Sequence, residues 1–375
     1  MKIKLLAALF ILPLLFSCSE DMSGDENYIL NLPPMKDAFS QYFLIGNIFN
    51  PNDVSGSQVR NKFLQRHFNV LTCENNMKPD QIAPGKGSYS FSTADSMVNS
   101  AIASGFKVVG HTLLWHSQIP SWQRDLASEA KETALKEMKD YITKVADHFK
   151  GRIYSWDVLN EVFPDGVSAN ADWTKVMRTN NPWYASIGSD FVYEGFLAAR
   201  LADPNAILYY NDYNTDSPSK AKMIHDMVKA VNERYSALSA GSKPAGDPPG
   251  RLLIEGIGMQ EHHNTSIGAD RIKTTLNLFR TLGVIISVSE LDVLAQSWGE
   301  YSSQTKITSE GRERQAQLYG EYMKVYLDNK DIIERVSLWG VTDTQSWRAR
   351  GEPLLFKGNG MAKPAYHSFV GALKK

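Results

Sequence analysis

Cysteine is nearly absent from this chain: Cys18 and Cys73 are the only two in 375 residues. That count excludes a disulfide-stapled scaffold, and the FNVLTCE setting of Cys73 reads as core rather than as half of a bridge. An excess of either charge is missing too, with 40 basic against 41 acidic residues and a formal net charge of −1. No basic stripe stands out, so binding to a phosphate backbone has no electrostatic footprint. Beyond residue 17, no apolar run reaches the ~20 residues that a membrane-spanning helix needs. No GxGxxG follows the first strand candidate, which removes the dinucleotide-binding signature. What the chain does have is aromatic surface, with 8 Trp, 16 Tyr and 16 Phe. Flat apolar rings with polar rims suit sugars as well as cores. At 43% hydrophobic residues there is also ample material for a large core.

The first residues, MKIKLLAALFILPLLFS, join two lysines to a short apolar run and stop at Cys18. The basic start and the run length fit an export signal rather than a permanent span. The Leu15-Phe16-Ser17-Cys18 ending resembles a bacterial lipoprotein cleavage box, which implies that Cys18 becomes acylated. Lipid chains contribute about 0.8 kcal/mol per buried methylene, so several would hold the protein to a membrane. Removing residues 1–17 takes away Lys2 and Lys4, leaving 38 basic against 41 acidic residues and a charge of −3. The segment SEDMSGDENYILNLPP is acidic, rich in small residues and ends in proline, the composition of a tether. The expected division is a signal over 1–17, a flexible tether over 18–36 and one folded domain over 37–375. Export and anchoring through Cys18 place that domain at the outer membrane, on its periplasmic or its external face. Acidic residues after the cysteine resemble those of surface-displayed lipoproteins.

From about residue 40, short β-branched runs alternate with longer amphipathic stretches. Strands are expected at 43–49, 68–74, 106–115, 153–161, 206–212, 252–260, 283–290 and 335–341. Their near-continuous apolar character is that of strands buried on both faces. Helices are expected between them, for example over 127–150 and 217–238, each with a serine cap ahead of a 3.6-residue apolar stripe. Eight strand–helix pairs over ~330 residues point to an α/β fold, a single (β/α)8 barrel with long loops after its strands. In that fold the Gly/Pro-rich stretch 240–250 precedes a strand and lies away from the mouth. The segments 162–190, 291–312 and 342–365 follow strands and build the rim around a cleft.

Barrel chemistry sits at the C-terminal strand ends. Here seven of eight ends are polar: Glu74-Asn75, Trp115-His116, Asn160-Glu161, Asn211-Asp212, Gln260 with His262, Glu290 with Asp292, and Asp343. Caps or rim ion pairs explain one or two such residues, not seven. Glu161 and Glu290 end the fourth and seventh strands and face each other across one mouth. Two carboxyl groups flanking a sugar are what glycoside hydrolysis requires, one protonated to release the leaving oxygen and one ionised. HTLLWH and EHH suggest a metal only superficially, because a third clustered ligand is missing. No metal or other cofactor is expected.

The motifs FNVLTCENNMK, GHTLLWHSQIPSW, WDVLNE, YYNDYN, GIGMQEHH, VSELD and SLWGVTDTQSW follow the order and spacing of glycoside hydrolase family 10. The chain resembles that family over residues 36–373. The family's members are retaining endo-β-1,4-xylanases of (β/α)8 fold. The resemblance implies that Glu161 is the acid/base and Glu290 the nucleophile, with Asn160 on the sugar 2-hydroxyl. It implies that His262 and Asp292 orient Glu290, His262 also touching substrate. Glu74, Asn75 and Lys78 resemble the wall that reads the xylose beyond the cleavage site. His111, Trp115, Trp339 and Trp347 resemble the walls and floor of the glycone subsites. Gln260 lies near the acid/base, and Asn211 and Tyr213 fall towards the aglycone. Trp156, inside a strand, reads as core, and His116 and His263 as structural. The chain departs from the family pattern at Cys73, Asn76 and Lys357-Gly358. The implied partner is xylan or a xylo-oligosaccharide, handled by a monomer that touches membrane only through its lipid and binds no nucleic acid. Two other readings compete: a non-catalytic glycan-binding surface lipoprotein, and a barrel hydrolase for another β-1,4-glycan. The first predicts loss of Glu161, Glu290 or Asn160, and all three are present.

Overall fold

The computed structural model describes residues 22, 24–54 and 59–374. The signal, Cys18 and the start of the expected tether lie outside the described residues. Nine parallel strands are present: β1 (Leu44–Phe49), β2 (Val70–Cys73), β3 (Lys107–Leu114), β4 (Ser155–Asn160), β5 (Ile207–Asp212), β6 (Gly256–Met259), the two-residue β7 (His262–His263), β8 (Ile285–Val293) and β9 (Ile333–Leu338). Around the ring they run β1 to β6, then β8 and β9, and β6–β8 pairing closes the barrel. This is the (β/α)8 barrel expected from the alternation. β7 continues beyond the end of β6 and pairs with the far end of β8, His262 opposite Asp292. That extension carries β8 three residues past Glu290 and brings Asp292 into the sheet.

The strands are buried on both faces, as continuous apolar runs must be. Two glycines make room inside the ring. A Cβ on Gly110 would sit 2.3 Å from the Trp156 ring, and one on Gly258 would sit 2.2 Å from Asn211 Oδ1. The first places Trp156 in the core, fully buried. The second lets an amide lie at the mouth between the fourth and seventh barrel strands. The helix Lys131–His148 shows why the outer ring docks: Ala134, Met138, Tyr141, Ile142 and Val145 form one buried stripe. Each large member contributes ~1.5–3 kcal/mol of burial as an upper bound.

Neither expected serine cap forms. The helix expected over 127–150 starts at Lys131 behind Ala130, with Ser128 in the preceding 3₁₀ turn. Ser217 occupies the cap of Pro218–Ser236 without a capping bond. Pro218 at the first helical position has no N–H to satisfy, which lowers the demand. Residues 240–250 form an exposed excursion before β6.

Over its described part, residues 22 and 24–36, the tether expected over 18–36 is corrected by the packing. Glu26–Asn31 is a helix, and Ile29, Leu32 and Met35 are buried in the main core. Arg66 donates twice to the Leu32 carbonyl, at 2.9 and 2.8 Å, and Tyr366 donates to the Pro33 carbonyl at 2.7 Å. Met22 and Gly24 N–H groups bond to Gly358 and Asn359 carbonyls at 2.8 and 2.9 Å. Acidic composition concealed three apolar side chains spaced three apart, enough to dock this segment on the barrel.

Candidate active site

The strand ends open into one cleft of about 880 Å³. Glu161, Glu290, Asn160, Glu74, Asn75, Lys78, His111, Trp115, Tyr213, Gln260, His262, Trp339 and Trp347 all line it. β2 and β6 stand four strands apart in the ring, so the cleft crosses the mouth from Glu74 to the loops after β6.

Glu290 is deep, with its side chain 6% exposed. Its Oε1 accepts from Asn211 Nδ2 at 2.7 Å, and Oε2 lies 3.1 Å from His262 Nε2. Burial alone would push its carboxyl up, but the His262 hydrogen bond, nearby His111 and Asn211 overcome this and hold it below the usual range. His262 is held as a cation. Its Nδ1 lies 3.1 Å from Asp292 Oδ2, in ion-pair range but not aligned as a hydrogen bond. Burial opposes the imidazolium, yet Asp292 and then Glu290 outweigh it and raise His262 to about 9. Asp292 is fully buried and also held by Arg348 and by Trp347 Nε1 at 3.1 Å. Despite burial, the charges of His262 and Arg348 keep it ionised below its ordinary range.

Glu161 is built differently. Its φ of +56° puts a non-glycine residue in the left-handed region, a cost of order 1–3 kcal/mol that its surroundings must hold. Its N–H donates to the Asn211 carbonyl at 2.8 Å, and its own carbonyl accepts from Arg178 Nε at 2.9 Å. The carboxylate then accepts from Trp115 Nε1 at 3.0 Å and from Gln260 Nε2 at 3.1 Å. Asn160 Oδ1 accepts from Asn211 Nδ2 at 3.0 Å and Gln260 Nε2 at 3.2 Å. Turned over, that amide would reach the Asn211 carbonyl but set its NH2 against two other NH2 groups, so the first orientation holds. Three amides therefore bridge the two carboxyl groups.

Asn211 departs from the reading that placed it on the aglycone side. It is fully buried and does not line the cleft; its Nδ2 is spent on Glu290 and Asn160, and its Oδ1 accepts from Ser289 Oγ at 2.6 Å. Tyr213 does line the cleft, receiving a hydrogen bond from Arg178 and lying under Lys220 Nζ at 3.5 Å. Lys78 Nζ bonds to Asn75 Oδ1 at 3.0 Å and Gln118 Oε1 at 2.7 Å, while Glu74 accepts from Asn50 at 2.6 Å. Burial lowers Lys78, with Glu290 and Glu74 opposing. His111 Nδ1 contacts Asp157 at 2.9 Å and packs its ring against Trp339 at 5.4 Å. His263 borders the cleft, with its Nε2 engaged by buried Glu261 at 2.8 Å. His116 stands in the cleft wall, 4.0 Å from Glu161, lowered to about 4 by burial and then Arg178. The strand-end carboxylates Asp212 and Asp343 pair with Lys220 and Lys363, each at 2.9 Å, as buried ion pairs. Among the described residues, no three His, Cys, Asp or Glu converge as a metal site.

Sequence reading missed Arg178, Arg348, Asp157 and Trp298, which support or line the cleft. Only Asp157, the second residue of the WDVLNE motif, carried a readable signal.

The family model for glycosyl hydrolase family 10 matches residues 34–372. An endo-1,4-beta-xylanase of Geobacillus stearothermophilus is 32% identical over 352 residues, 91% of this chain and 98% of that protein. Endo-1,4-beta-xylanase A of Thermoanaerobacterium saccharolyticum is 34% identical over 373 residues, 96% of this chain but 29% of that protein. The chain thus spans under a third of some longer curated relatives it matches. A crystal structure of a GH10 xylanase with a bacterial Ig-like domain, from termite gut, superposes with a TM-score of 0.86 at 55% identity. It covers 92% of this chain and 78% of that one. By sequence, fold and the placement of its cleft, the chain belongs to glycosyl hydrolase family 10.

Proposed function

We propose that this protein is an endo-1,4-β-xylanase that hydrolyses internal linkages of xylan with retention at the anomeric carbon. The observation that carries the reading is the asymmetric carboxyl pair. Glu290 is buried and held ionised by His262 and Asn211, while Glu161 sits nearer solvent, tethered by Trp115 and Gln260. In the first step Glu290 attacks the anomeric carbon as Glu161 gives its proton to the departing oxygen. In the second, Glu161 takes a proton from water, whose oxygen displaces Glu290 and regenerates both groups. Asn160, anchored by two amide N–H groups, serves the 2-hydroxyl of the sugar next to the cleaved bond. Glu74, Asn75, Lys78, His111, Trp115, Trp339 and Trp347 hold the glycone end.

Relatives named endo-1,4-beta-xylanase and beta-1,4-xylanase support the substrate class, as do structures of a T. saccharolyticum intracellular xylanase complexed with xylotriose and xylotetraose. A second reading, action on a β-1,4-glucan, rests on relatives named exoglucanase and celloxylanase. Room for a hydroxymethyl group near Lys78, Trp339 and Trp347 decides between them. Assaying xylan, arabinoxylan, glucuronoxylan and cellulose side by side tests the proposal, which expects release of short xylo-oligosaccharides. Activity on cellulose alone overturns it.

We further propose export and lipid anchoring through Cys18, with the folded domain, a monomer, held at the outer membrane. The supporting observation is the sequence of residues 1–18. Cys18→Ser should release the protein from the membrane fraction. Protease treatment of intact cells separates external from periplasmic display, and light scattering tests the monomer.

A further inference from the structure

Trp298 is 57% exposed, and nothing in the two-step chemistry uses it. A lone exposed tryptophan needs no explanation, but this one lines the cleft. It opens the short helix Trp298–Ser302 after β8. Ser297 and Glu300 fix that helix start with a reciprocal cap, Ser297 N–H donating to Glu300 at 2.8 Å and Glu300 N–H to Ser297 Oγ at 3.3 Å. Behind the ring lies Tyr301, with centroids 5.6 Å apart and planes 31° from parallel. The Arg348 guanidinium sits 5.9 Å from the ring, itself anchored on Asp292 and on the His263 carbonyl at 3.0 Å. The indole is therefore held in place at the cleft with more than half of the residue exposed.

Its location gives the direction. Glu74, Asn75 and Lys78 follow β2, while Asn264 and Ile267 follow β7, beyond β6 on the opposite side of the ring. Trp298 lines the same cleft and follows β8, the strand that pairs with β6 and β7, and its segment is tied to this second group where Thr265 N–H donates to the Gln296 carbonyl at 3.2 Å. Tyr213, the nearer aromatic on that side, has Lys220 over its ring at 3.5 Å and is less free to stack.

We propose that Trp298 is the platform of an outer aglycone subsite, stacking a xylosyl ring beyond the first sugar of the leaving group. This rests on the xylanase reading and sets which chain lengths are cut well. A flat ring, fixed before substrate arrives, loses little ordering entropy on stacking.

The test compares two substrates on wild type, Trp298→Ala and Trp298→Phe. An aryl β-xylobioside fills only the glycone side, whereas xylohexaose extends across both. Trp298→Ala should lower kcat/KM on xylohexaose about tenfold, mostly through KM, and leave the aryl substrate unchanged. Trp298→Phe should recover most of that loss. Equal losses on both substrates, or no loss on either, overturn the subsite. Failure of wild type to cleave either substrate instead takes down the xylanase reading and the subsite with it.

Discussion

Replacing His262 by glutamine should weaken the fold in a pH-dependent way. His262 lies between Glu290 and Asp292, 3.1 Å from each. Its side chain is 12% exposed, so solvent screening is small. In the unfolded chain a histidine titrates near 6.5, whereas here the two carboxylates raise it to about 9, against burial. The folded state therefore holds a proton that the unfolded state has released between these values. The resulting stabilisation is fully present below about pH 6.5 and is lost as pH rises through about 9. A shift of that size corresponds to about 3 kcal/mol. Wild type and His262→Gln are to be unfolded with urea from pH 6 to pH 10. The wild-type advantage should shrink by about 3 kcal/mol across that interval. An advantage that stays constant with pH refutes the charge assignment. The variant should also lose about 10–100-fold in kcat/KM, the worth of one hydrogen bond to a charged group. The acid limb of its pH profile should move up, because Glu290 loses its main charged partner.

Three further outcomes follow from the geometry. Glu290→Ala should abolish turnover on every substrate, whereas Glu161→Ala should still cleave an activated aryl xylobioside and then stall at deglycosylation, as a burst in stopped-flow absorbance. Like behaviour of both variants on that substrate contradicts the roles. Gly258→Ala sets a methyl 2.2 Å from Asn211 Oδ1, so it should displace that amide and cut kcat at least tenfold with the far-ultraviolet dichroism unchanged. A chain begun at residue 37 removes the buried Ile29, Leu32 and Met35 and should lose several kcal/mol, read as a lower Tm. An unchanged Tm contradicts the docking of that segment.

The barrel was legible because its strands are buried on both faces and read as apolar runs. β6 was placed too long, since the apolar Leu252, Leu253 and Ile254 precede the strand, the last two in a bend. β8 was ended too early, because Leu291 pairs with Leu338 of β9 and Asp292–Val293 pair with β7, which continues the line of β6. The carboxyl pair was legible from two motif-bearing strand ends. Supporting groups were harder to see. Arg348 reaches Asp292 from a loop 56 residues downstream, a contact that only the closed ring creates. Asn211 sits in a recognisable motif, but whether it faced sugar or Glu290 depended on the empty space over Gly258. The tether reading of 18–36 gave weight to Glu20, Asp21, Asp25 and Glu26, whereas the apolar Ile29, Leu32 and Met35 decide where the described part packs.

The central claim is that Glu161 and Glu290 hydrolyse xylan by two successive displacements. Proton NMR of a xylo-oligosaccharide digest, recorded before mutarotation, tests it most directly. New reducing ends should appear first as the β-anomer and then drift to the equilibrium mixture. Initial release of the α-anomer would contradict the nucleophile assignment and the mechanism with it.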